Sequence, residues 1–104
     1  MKQENFTQSL VQWVRANEKR LNADHITVRL PEKIIGNGTH ADFFGETGEA
    51  TVEIWDYGFS EFHFAGPEAE QVSVTHHEFR DTAEMYAALD GLVNRMSLKL
   101  AEVR

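Results

Sequence analysis

The chain has 104 residues, the length of one domain spanning 1–104. Its formal net charge is −7, from 17 Asp+Glu against 10 Lys+Arg, which argues against nucleic acid or an anionic membrane as partner and favours a basic protein surface. With no Cys, disulfides, thiolate chemistry and Cys-ligated metals are excluded.

The start, MKQENFTQSL, is polar and lacks the apolar run of a signal peptide, and no window approaches about 20 apolar residues. The expected location is the cytoplasm. The stretch NFTQSLVQWVRANEKRL predicts an amphipathic helix with Phe6, Leu10, Trp13, Val14 and Leu21 on one stripe. Asn5 and Gln8 have capping-box spacing, and Asn22 is expected to end the helix in a left-handed cap.

HITVRLP alternates, placing Ile26, Val28 and Leu30 on one strand face until Pro31 stops the ladder. PEKIIGNGTH reads as a loop around Gly36-Asn37-Gly38, with Ile34 and Ile35 partly exposed. ADFFGE predicts a short strand ending near Gly45. EATVEIWD and FSEFHFAG follow as strands, and Gly66-Pro67 marks a turn. EQVSVTHHEF alternates again, with Val72, Val74 and His76 sharing a face.

DTAEMYAALDGLVNRMSLKLAEV predicts a closing helix. Asp81 and Glu84 suit its capping box, and Met85, Leu89, Leu92, Met96 and Leu100 form its apolar stripe. Gly91 inside it costs about 1 kcal/mol against Ala, which a close approach to the sheet could explain. Helix, strands and helix with short connections give an α+β fold. The sheet is mainly antiparallel, of about 4–5 strands, with both terminal helices packed on one face.

The richest stretch is VEIWDYGFSEFHF, residues 52–64, which carries Trp55, Tyr57, Phe59, Phe62 and Phe64. A three-residue loop Asp56-Tyr57-Gly58, with Gly at the left-handed position, sets Trp55 opposite Phe59 and Glu53 opposite Glu61. A two-residue loop would mix core and solvent residues on each face. The preferred register sends Val52, Ile54, Phe62 and Phe64 to the core. It leaves Glu53, Trp55, Phe59, Glu61 and His63 outward, with Asp56 and Tyr57 at the tip. Two carboxylates facing each other destabilise an isolated sheet slightly, whereas a partner's Arg or Lys would use them. Tyr and Trp are typical of binding hot spots. The other reading is an ordinary solvated face on which Trp55 covers its neighbours.

The candidate partner-binding set is therefore Glu53, Trp55, Asp56, Tyr57, Phe59, Glu61 and His63; no catalytic, cofactor-binding or metal-binding residue is expected. Glu53 and Glu61 have the residue types of a glycosidase pair, but an open sheet face lacks the cleft that would separate their pKa values. Glu61, His63 and His77 could meet on the outer face as a zinc site. The sequence carries no phosphate-loop or nucleophile-elbow motif.

FTQSLVQWVRANEKRL, ATVEIWDYGFSEFHF, and THHEF leading into DTAEMYAALDGLV together resemble the TriTu-type immunity proteins over nearly the whole chain. Trp13 and VEIWDYG are the most recognisable parts. The resemblance implies an immunity protein without enzymatic activity or cofactor. It would bind, one to one, the folded domain of a TreTu-like ADP-ribosyltransferase toxin, an Rhs-type effector of type VI secretion that modifies elongation factor Tu. The resemblance assigns no contact residues, so the helices or the Ile34–His40 loop stand beside the hairpin as possible contact surfaces. Two other classes fit a small acidic α/β protein: a secretion chaperone for an effector, and a small metal-dependent enzyme built on the histidines.

Overall fold

The computed structural model describes residues 5–33, 36–66 and 72–102, with side chains described to residue 97. Helix α1 (Phe6–Ala16) and helix α2 (Glu18–Ala23) precede five strands, β1 (Thr27–Arg29), β2 (Gly38–Gly45), β3 (Gly48–Trp55), β4 (Phe59–Ala65) and β5 (Ser73–Glu78). Helix α3 (Thr82–Glu102) closes the chain. The strands form one antiparallel meander in the order β1-β2-β3-β4-β5. The fold is thus α+β, with terminal helices covering one sheet face.

The expected apolar stripes build the core. Phe6, Leu10, Trp13, Val14 and Leu21 from the first two helices are buried, as are Met85, Leu89, Leu92, Val93 and Met96 of α3. They close on Ala41, Phe43, Ala50, Val52, Ile54 and Phe62 of the sheet. Leu100 lies outside the described side chains. Phe64 is half-buried, its ring capped by the Arg95 guanidinium at 4.2 Å.

The long first helix of the sequence reading is two helices. At the break the Trp13 carbonyl accepts both from the Asn17 side-chain amide at 2.8 Å and from Asn17 N at 3.1 Å. Asn5 caps α1 as expected, its Oδ1 accepting from Gln8 N at 3.1 Å. Asn22 is not the left-handed residue. That conformation falls on His25, at φ 60. Ile26 N bonds Leu21 O and His25 N bonds Asn22 O, a Schellman arrangement in which buried Ile26 meets buried Leu21. Strand β2 also starts earlier than expected, at Gly38, so Thr39 and His40 belong to the sheet. Gly36, at φ 74, makes the positive-φ turn before it. Ile34, Ile35 and Pro67 lie outside the described residues.

Polar clips set the helices on the sheet. Arg20 bonds Asp90 at 2.9 Å and Asn94 at 3.2 Å, joining α2 to α3. Ser97 donates to Asp24 at 2.9 Å, and Thr47 in the β2–β3 turn donates to the Met96 carbonyl. At the start of α3, Asp81 accepts from Glu84 N at 2.9 Å, while the Glu84 carboxylate accepts from Arg80 N at 2.8 Å. Gly91 does not approach the sheet; a Cβ there would meet open space.

Candidate functional site

Strands β3 and β4 pair in the expected register. Ile54 faces Ser60, Glu53 faces Glu61, Val52 faces Phe62 and Thr51 faces His63. The three-residue loop closes with Gly58 N on Trp55 O at 2.9 Å and Gly58 at φ 100. The tip is clamped from three sides. Asp56 N bonds Asn37 O at 2.9 Å, and Phe79 N bonds Gly58 O at 3.0 Å. Thr7 Oγ1 lies 2.9 Å from Asp56 Oδ1 and 2.7 Å from Asn5 Oδ1, and its single proton serves one of them at a time. A Cβ at Gly58 would sit 2.5 Å from the Phe79 carbonyl, so the loop has no slack there.

Among the described residues, no helix packs on the sheet face opposite the core. Alternation puts Glu53, Trp55, Phe59, Glu61 and His63 there, with Tyr57 at the tip 69% exposed. Asp56 is the member of the predicted set that turns elsewhere, toward Thr7 of α1. The aromatic members touch. Trp55 and Phe59 centroids are 5.5 Å apart, Tyr57 stacks on Phe59 at 6.5 Å, and Phe59 stacks on His76 at 6.0 Å. Trp55 also has a structural duty. It lies opposite Gly38, with its indole 3.2 Å from where a Cβ would stand, so it covers that glycine backbone.

Carboxylates flank this strip. Glu61 is the hub, with Oε1 3.2 Å from His63 Nε2 and Oε2 3.2 Å from His76 Nε2. Across β3, Thr51 donates to Asp42 at 2.9 Å. At the β1 edge, Arg29 lies 5.5 Å over the Phe44 ring. A shallow open depression of about 400 Å³ runs between Glu49, Thr51, Glu53, His63, Ala65 and Val72.

The zinc trio that the sequence allowed but did not favour, Glu61 with His63 and His77, does not assemble. His77 pairs with Ser60 on the helix side of the sheet, 4.7 Å from the Phe62 ring and stacked on Phe79 at 5.3 Å. Its pKa lies below the ordinary value, first because burial disfavours the cation and then because His76 is adjacent. His76 takes its place on the outer face. Sequence reasoning put Val72, Val74 and His76 together but left them out of the site. Val72 and Val74 are 57% and 45% exposed, extending the outer face to the β5 edge. Their alternation was the available signal; which sheet face it occupied depended on the β4–β5 register.

No protein-family model, curated protein or solved structure matches this chain. The outer face presents a stiff aromatic strip, an acidic surround and an open depression.

Proposed function

We propose that this is an immunity protein that binds and neutralises a TreTu-like ADP-ribosyltransferase toxin domain in the cytoplasm of the producing cell. The observation that carries the reading is the clamped β3–β4 hairpin, which holds Trp55, Tyr57 and Phe59 beside Glu53 and Glu61 on an open sheet face. The family resemblance of the sequence supplies the toxin class. An ADP-ribosyltransferase cleft must receive the anionic pyrophosphate of NAD, so basic groups are expected at its mouth. The carboxylates meet those groups and the aromatics enter apolar pockets, which blocks the NAD site or access of the target. Clamping lowers the ordering cost of docking, and charge complementarity speeds encounter. Protection from a lethal enzyme calls for affinity on the order of nM, about −12 kcal/mol.

Calorimetry of the purified protein with the folded toxin domain, with and without NAD, tests this. Tight one-to-one binding weakened by NAD supports occlusion of the catalytic cleft. Tight binding indifferent to NAD places the contact away from the cofactor site. Trp55→Ala with Glu61→Lys is expected to cripple binding with the circular dichroism unchanged; full protection of cells by that variant would remove this face from the proposal. Tyr57→Ala is the cleaner single change, because Trp55 also packs on Gly38.

A second reading, a secretion chaperone, draws on β5. This edge strand exposes Val74, with Val72 exposed just before it, and could add an extended effector segment to the sheet. A stable dimer that binds an unfolded stretch and ignores the folded toxin would favour it.

A further inference from the structure

Glu53, Glu61 and His63 sit on two neighbouring strands of the outer face, and one ligand atom from each lies within 4.8 Å of the others. The pairing explains why. Glu53 and Glu61 are directly opposed, and His63 follows Glu61 by two residues on the same face. The separation of His63 Nε2 from Glu61 Oε1 is 3.2 Å. Two ligands on a tetrahedral zinc ion, each bonded at about 2.0–2.1 Å, stand about 3.3–3.4 Å apart. Among the described residues the Glu53 side chain makes no hydrogen bond or ion pair, so its carboxylate is available. All three side chains are half-buried, and Glu53 and His63 also line the 400 Å³ depression, which leaves room for a fourth ligand.

We propose that Glu53, Glu61 and His63 bind a divalent cation of the zinc class. The mixed donor set selects the metal. One imidazole with two carboxylates suits Zn²⁺, whereas Mg²⁺ and Ca²⁺ prefer oxygen alone. The ion also neutralises the opposed carboxylates, which the protein otherwise holds face to face. His76 is a positioning residue. Its Nε2 lies 3.2 Å from Glu61 Oε2, the oxygen turned away from His63, and fixes the carboxylate for the metal. Water or a donor from a docked molecule completes the coordination. Zinc would compete with a partner's basic groups for Glu53 and Glu61, and a test that contains no toxin separates failure of this site from failure of the immunity reading.

Zinc chloride is titrated into metal-free protein by calorimetry, with metal content of the dialysed product measured in parallel. One zinc per chain is expected. Glu53→Gln and His63→Ala should each weaken binding by more than about 100-fold, and His76→Ala by about 10–100-fold with unchanged melting of the metal-free protein. His77→Ala should leave binding unchanged. Glu53→Gln removes a like-charge contact, so the metal-free variant should melt no lower than the parent, separating lost binding from lost folding. Absence of saturable binding by the parent overturns the proposal. So does parental affinity in folded Glu53→Gln or His63→Ala, and so does abolition by His77→Ala, which would move the metal to the His76–His77 strand.

Discussion

Residues 52–64 build two opposite surfaces from one hairpin. Val52, Ile54 and Phe62 face the helices, and the first two are fully buried. Glu53, Trp55, Phe59, Glu61 and His63, one residue out of phase, face outward. The inner surface is packed into the core shared with the helices and tolerates little change. The outer surface is held by the strand pairing and by clamps on the tip from Asn37, Phe79 and Thr7, so apart from Trp55, which covers Gly38, its side chains are free to be chosen for something other than folding. Opposed carboxylates and an aromatic strip survive there because the inner face already supplies the stability.

The largest effect should come from breaking the inner face. Ile54→Ala empties a site with no exposure and should cost about 2–5 kcal/mol, read as a lower urea midpoint. An equal loss from Glu61→Gln would dissolve the distinction between the faces. Next comes the joint between them. Gly58→Ala forces a side chain onto φ 100 and against the Phe79 carbonyl, and should cost at least about 2 kcal/mol. It should weaken partner binding as well, because the tip carrying Tyr57 must move; unchanged thermal stability would show that the clamp is not rigid.

Gly91→Ala tests a position belonging to neither face. Nothing lies within 4 Å of its would-be Cβ, so the substitution should stabilise by about 1 kcal/mol. A loss instead would mean that α3 needs glycine for contacts outside the described residues.

The smallest effect is a pH dependence seated beneath the sheet. The native fold holds His77 with a lowered pKa, so the unfolded chain takes up its proton more readily. The His77 contribution is fully present above the ordinary value of 6.5 and is lost as pH falls through the lowered native pKa. Urea midpoints measured near neutrality and at about pH 5 should therefore differ less in His77→Gln than in the parent. An identical slope in the two proteins would mean that the aromatic packing does not disfavour the imidazolium.

Much of this architecture is legible in the sequence because its causes are local. Asn5 caps α1 through its own side chain, the helical stripes follow from a 3.6-residue period, and Gly58 is the loop position that requires positive φ. The hairpin register follows from that loop together with one-sided burial, and it sorts Glu53 and Glu61 from Val52 and Phe62 without reference to the rest of the chain. The helix break at Asn17 was hidden because its side-chain amide closes on the Trp13 carbonyl beside its own N–H, a local capping contact that periodicity does not register.

Residues 52–64 by themselves determined which of their side chains leave the core. The tertiary structure alone decided what they meet. Strand β4 ends at Ala65 and β5 begins at Ser73, too far apart in sequence for a two- or three-residue hairpin loop to set the register, and a shift of one residue would exchange His76 for His77 beside Glu61. Only the folded sheet puts His76 in the acidic, aromatic face and leaves His77 against Phe62 and Phe79, because register between strands is fixed by the packing of whole faces rather than by the residues of either strand.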